Sequence, residues 1–190
     1  MKPPSRRKSL APRLFPLYGL ALVLLWMSHP TAAGLAAGFV LVGAGEALRL
    51  WAAGYLVKND ELTLSGPYAH VRNPLYLGSL LVGCGFLLMG GRAASLWLLP
   101  IGLAFFFLYY FPYKERIESA RLERFYGEPY RAYRAAVPAL FPRITPWRSA
   151  SVRSALRWSR ERMRANHEHG AALAIALGAV ALLLRPLVPL

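Results

Sequence analysis

The chain has 190 residues, 56% of them apolar, with 16 Gly, 15 Pro and one Cys, and a formal net charge of +14. So high an apolar content excludes a disordered chain, a coiled coil or a solvated repeat array. One Cys excludes a disulfide framework, and no paired Cys/His spacing marks a metal site. A membrane protein or an apolar domain with a basic face remains, and the placement of the charge separates the two.

The cations lie at the ends. Residues 2–13 hold five (Lys2, Arg6, Arg7, Lys8, Arg13) and no acid, and residues 114–164 hold 13 Lys or Arg against five Glu. Between them, residues 14–113 carry only Glu46, Arg49, Lys58, Asp60, Glu61, Arg72 and Arg92. Long apolar runs between compact basic segments are the pattern of an integral membrane protein.

In chain order, the first apolar run is 14–27. It follows the basic cluster and is followed at once by further apolar runs, so it reads as an anchor rather than a cleaved signal. The second, 34–57, is long and contains Glu46 and Arg49 three residues apart. Runs 75–91 and 93–113 are parted only by Arg92 and its small neighbours, which predicts a tight helical hairpin. A fifth run, 171–184, is short of the roughly 20 residues a span needs, so it either crosses or lies at the interface. The expected class is an all-α, polytopic helical membrane protein with about five transmembrane helices. Its expected parts are a basic N-terminus (1–13), a membrane core (14–143), a basic interfacial segment (144–169) and a C-terminal apolar helix (170–190). The positive-inside rule puts the N-terminus, the loop 58–73 and the segment 114–164 on the cytoplasmic side. The same spans account for the cations, so membrane lipids, not nucleic acid, are the expected partner.

Two segments hold the chemistry. In 65–78, Gly66-Pro67 marks a turn, and Pro74 bars Asn73 from the helical region while suiting the first position of the next helix. Arg72 and Asn73 then sit at a helix N-terminus, whose free backbone donors suit an anionic or polar group. In 114–133 a helix is expected as far as Gly127, with Lys114, Glu118, Arg121 and Leu122 on one face. By spacing alone either segment also reads as an ordinary interfacial loop or a salt-bridged surface helix.

Together they are more specific. Gly66-Pro67-Tyr68, Arg72-Asn73-Pro74-Leu75-Tyr76-Leu77-Gly78, and after the hairpin Glu118, Leu122, Tyr126-Gly127, Tyr130 and Tyr133 resemble the isoprenylcysteine carboxyl methyltransferase and phospholipid methyltransferase superfamily. Val137-Pro138 and Phe141-Pro142-Arg143 match its closing segment, and Gly43-Ala44-Gly45 resembles its small-residue helix. Asn73 stands where the family has His, Ser119 where it has the second Glu of an acidic pair, and Tyr126 where Phe is usual.

The resemblance implies a membrane enzyme using S-adenosylmethionine. Its cofactor residues here would be Leu62, Thr63, Tyr68, Asn73, Pro74, Leu75, Tyr76 and Glu118. Tyrosine faces suit a sulfonium, and a carboxylate suits an ammonium or ribose hydroxyls. Lys114, one turn before Glu118, would hold the acceptor, and these two are the catalytic candidates. Arg49 either pairs with Glu46 or lines the acceptor path. The implied acceptor is a lipophilic carboxylate of the isoprenylcysteine type. The alternatives are a phospholipid amine or an NADPH-dependent reductase of the sterol type.

Overall fold

The computed structural model describes residues 25, 28–57, 61–148 and 157–185. Apart from Leu25, the basic N-terminus and the first predicted run lie outside these residues. The described chain is helical, without strands.

Helix α1 (Ala32–Tyr55) starts at Thr31, whose Oγ1 accepts from the Gly34 N–H at 3.1 Å, satisfying one of the first-turn donors. Helix α2 (Pro74–Met89) runs back beside it. Their crossing is set by glycine. A Cβ on Gly45 would lie 2.6 Å from the Gly78 carbonyl oxygen, and one on Gly85 would lie 2.7 Å from that of Gly38. The two backbones touch at two points seven residues apart on each helix, the close approach that small residues permit between membrane helices. Of the Gly43-Ala44-Gly45 triplet, only Gly45 meets the partner helix; Gly43 faces open space. Gly45→Val is therefore expected to lower stability by about 1–3 kcal/mol through overpacking, and Gly43→Ala to leave it unchanged. Thermal midpoints in detergent check both.

The predicted hairpin forms at Gly90–Arg92. Gly91 has φ +94, and a Cβ there would run into the His29 carbonyl, so only glycine fits. Helix α3 (Ala94–Tyr126) then continues for 33 residues. It absorbs Pro100 and Pro112 by winding wider over Ala94–Leu98 and Phe106–Tyr110, each wide turn ending two residues before a proline. The wider turn relieves the clash and the lost donor that proline brings to a helix interior. The predicted fourth span and the juxtamembrane helix are thus one element. It stops at Gly127, where φ 57 and ψ −128 exclude a side chain, and α4 (Glu128–Ala136) follows.

Helix α5 (Arg160–Ala165) and helix α6 (Glu168–Leu184) complete the described fold. Residues expected to lie on the lipid surface instead close the end of α1. Trp158 Nε1 donates to Leu50 O at 3.2 Å, Arg162 Nε to Gly54 O at 2.9 Å, and Asn166 Nδ2 to Ala53 O and Leu56 O at 3.0 Å each. A helix end leaves its last carbonyls without intrahelical donors; Arg162 and Asn166 supply donors to those of Gly54 and Ala53, and Trp158 reaches one turn further back to Leu50. Helix α6 packs Ala179 and Leu182 onto Val42 and Met89.

Two described helices, α1 and α3, are long and apolar enough to cross a bilayer. Helices α2 and α6 are apolar but have 16 and 17 residues, roughly 24–26 Å at 1.5 Å per residue against a core of about 30 Å. The expectation of about five spans is therefore reduced to two within the described residues.

Candidate active site

The loop before α2 is held on two sides. Pro67, Tyr68 and Ala69 form a buried helical turn, and Val71 and Pro74 are almost fully enclosed. The segment 137–147 lies along the loop. Arg72 N–H donates to Pro138 O (2.9 Å), Asn73 N–H to Ala139 O (3.2 Å), Arg143 N–H to His70 O (2.9 Å) and Trp147 N–H to Ala69 O (2.8 Å). From α4, the Tyr133 hydroxyl donates to Tyr68 O at 2.8 Å. Leu64, Tyr130, Tyr133 and Val137 form the core beneath, with Leu62 and Trp147 against it. Burial pushes the Tyr133 phenol well above its usual range, so it stays a neutral donor.

Two carboxylates of α3, one turn apart, then meet the start of α2. The Glu118 Oε1 accepts from the Tyr76 hydroxyl at 2.5 Å, and no cation pairs with Glu118 among the described residues. Edge-on Tyr110 and Phe111 rings, centred 6.0 and 6.2 Å from the Tyr76 ring, wall this contact. The Glu115 Oε2 accepts from Asn73 Nδ2 at 2.8 Å, and its Oε1 accepts from Ser119 Oγ at 2.8 Å. Arg72 Nη1 lies 2.7 Å from Glu115 Oε1 as an ion pair. Its angles fall outside hydrogen-bond geometry, so Arg72 Nε and Nη1 are otherwise unsatisfied. Ser119 Oγ also lies 2.7 Å from the Tyr130 hydroxyl.

A second charged group joins α1, α2 and α6. Arg49 donates from Nη1 to Ser79 Oγ at 2.5 Å and from Nη2 to Glu168 Oε2 at 2.6 Å, with Nε 3.5 Å from Glu46 Oε2. Neither Glu46 oxygen has a hydrogen-bond partner. The Tyr68 side chain, also buried, has a hydroxyl without a partner. Burial, then the charges of Glu168 and Glu118, push its phenol well above the usual range. Tyr68 therefore stays protonated and able to donate.

Among the candidates read from the sequence, Tyr76 and Glu118 are brought into contact, with Asn73, Pro74 and Leu75 on the chain beside them. Asn73 commits its amide nitrogen to Glu115 and to Ala139 O (3.0 Å), leaving only its side-chain carbonyl free. Thr63 is buried and accepts from the Val57 N–H at 3.2 Å, and Leu62 packs into the tyrosine core; both face structure. Lys114 has no ion-pair partner among the described residues, so the Lys114–Glu118 pair allowed by the sequence does not form. Arg49 gives both Nη groups to Ser79 and Glu168, while its Nε faces Glu46 as an ion pair without a hydrogen bond. Glu115 as a hub is not visible from residue spacing, because its partner Arg72 lies 43 residues away across the hairpin. No group of three or more His, Cys, Asp or Glu placed to hold a metal occurs among the described residues.

The described residues are helical, with two helices of membrane-spanning length and apolarity and a polar site where α3 meets the start of α2, the arrangement of a helical membrane protein. The phospholipid methyltransferase family matches residues 35–129, half of the chain, and the chain belongs to that family. The chain is 35% identical over 129 residues to the nickel-cobalt-cadmium resistance protein NccN of Alcaligenes xylosoxydans xylosoxydans, covering 67% of this chain and 57% of that one. It is 35% identical over 120 residues to the cobalt-zinc-cadmium resistance protein CzcN of Cupriavidus metallidurans (62% and 53%). It is 33% identical over 106 residues to the protein-S-isoprenylcysteine O-methyltransferase of Schizosaccharomyces pombe (55% and 42%). The chain spans about half the length of these curated relatives. No solved structure matches.

Proposed function

We propose that the protein transfers a methyl group from S-adenosylmethionine to a lipophilic acceptor, a carboxylate of the isoprenylcysteine type, on the cytoplasmic side of the membrane. One observation carries this reading. Among the described residues Glu118 has a lone phenol donor, no cation and an aromatic wall, an arrangement that leaves a carboxylate open to a cationic ligand. Tyr76 offers a ring face to a sulfonium, and Glu118 accepts from an ammonium or hydroxyls. The Tyr68 hydroxyl is a buried donor awaiting an acceptor, at a cost to the fold until one arrives. Leu75 and Tyr76 head α2, where backbone donors lack intrahelical acceptors and suit a carboxylate. These features fit the donor's combination of positive sulfonium and zwitterionic tail.

S-adenosylmethionine supplies an activated methyl group when bound. The protein's task is then to orient the acceptor and exclude water. Lys114, one turn from Glu118 and without an ion-pair partner among the described residues, holds an acceptor carboxylate as a point charge. A carboxylate needs no proton removed before it is methylated, which agrees with a site where no neutral base adjoins Glu118.

The test is methyl incorporation from labelled S-adenosylmethionine by the full chain in lipid, offered a prenylcysteine or an amine phospholipid. Label in the prenylcysteine is expected; label in the amine lipid alone replaces the acceptor class. Lys114→Ala is expected to raise the acceptor KM on the order of tenfold, as loss of one charged contact does, with donor affinity unchanged. Equal loss of both contradicts the role given to Lys114.

A further inference from the structure

The two carboxylates that α3 brings to the start of α2 are not equivalent. Among the described residues Glu118 accepts one phenol hydrogen and has no cation paired with it. Glu115 is saturated: Arg72 and Ser119 meet one oxygen, Asn73 the other, and the Arg72 and Glu115 side chains are only 11% and 17% exposed. Arg72 and Asn73 precede Tyr76 by one turn, as Glu115 precedes Glu118. The contacts therefore form two rungs between the same two elements, one closed and neutral, one open and charged. A closed ionic rung fixes the sliding and rotation of α3 against the loop, which sets where Glu118 stands relative to Tyr76.

We propose that Glu115 is the positioning residue of the donor site, anchoring Arg72 and Asn73 so that Glu118 and Tyr76 face the same ligand, with Ser119 and Tyr130 holding its carboxylate in place. The assignment rests on the S-adenosylmethionine reading above. It also gives the serine at 119 a physical meaning. One carboxylate balances one guanidinium here, and its place in the rung is filled from one turn earlier in the helix. An acid at 119 would stand beside Glu115 with Arg72 alone to balance both. Side chains on a helix lean toward its N-terminus, so a carboxylate at 119 reaches back over position 115 and meets the Tyr130 hydroxyl. The pair is thus exchangeable, although neither half is.

The experiment compares the full-length protein in lipid nanodiscs with Glu115→Gln, Glu115→Ser, Ser119→Glu and the double exchange Glu115→Ser/Ser119→Glu. It measures S-adenosylmethionine affinity by calorimetry and thermal midpoint by circular dichroism. Glu115→Gln keeps the shape and the Ser119 contact but leaves Arg72 without a counter-charge, so it decides the matter if Glu115→Ser does not fold. Each single change is expected to weaken donor binding on the order of tenfold, the usual scale for residues that orient a ligand's direct contacts. The double exchange should return to within about threefold of wild type, as coupled neighbours do. Unchanged affinity in the singles, or a double exchange no better than the worse single, overturns the positioning role. A lowered thermal midpoint with unchanged affinity also overturns it, since that would mark a purely structural clamp. If wild type itself does not bind, the donor reading falls together with this one; no other outcome touches that reading.

Discussion

Replacing Arg49 with methionine is expected to be the most destabilising change among the described residues. Arg49 is the cation shared by Glu46 and Glu168 between three helices, and the three side chains are 16%, 14% and 12% exposed. Methionine fills much of the same volume but leaves two carboxylates facing each other in an apolar setting. Breaking a buried ion pair by removing one partner costs about 3–5 kcal/mol, which is comparable with much of a membrane domain's margin. Glu168→Gln should cost less, because Arg49 and Glu46 remain one against one. Thermal midpoints in detergent distinguish the two, with Arg49→Met expected well below Glu168→Gln. If Arg49→Met unfolds with wild type but loses acceptor use, Arg49 belongs to the acceptor path rather than to the fold.

Glu118→Ala is expected to have the largest effect on ligand binding. It removes the uncompensated carboxylate of the site while leaving the Glu115 rung intact, so the fold should hold. Hydrogen bonds to charged groups contribute about 1.5–3 kcal/mol each, which corresponds to a 10- to 100-fold loss of S-adenosylmethionine affinity. Tyr76→Phe should be milder, because the ring face stays and only the hydroxyl that steers Glu118 is lost. Calorimetry on both variants checks the order; a larger loss from Tyr76→Phe than from Glu118→Ala contradicts it.

The local features of this molecule were legible in the sequence, and its long-range polar contacts were not. The hairpin at Gly90–Arg92, Pro74 at a helix start and Gly127 at a helix end each depend on features within a few residues, and each is found where expected. The tyrosines at 130 and 133 were visible by their spacing, but the burial of their hydroxyls against Ser119 and Tyr68 O depends on how α4 folds back. Glu115 escaped notice because helical neighbours three and four apart define a face without saying what the face meets. The Arg49–Glu168 pair spans 119 residues, and nothing in a charge pattern couples two positions so distant. Within the described residues two helices have spanning length, because an apolar run fixes composition while element length follows from local geometry: α3 runs through two prolines that would ordinarily end a helix, and α2 has 16 residues.

Binding of S-adenosylmethionine at Glu118, Tyr76 and the start of α2 is the step on which the proposed function turns. It is tested most directly by calorimetry of the wild-type full chain in lipid nanodiscs, titrated with S-adenosylmethionine and, separately, with NADPH. Saturable binding of S-adenosylmethionine in the micromolar range is expected, and none of NADPH. Absence of S-adenosylmethionine binding, or saturable NADPH binding in its place, would contradict it.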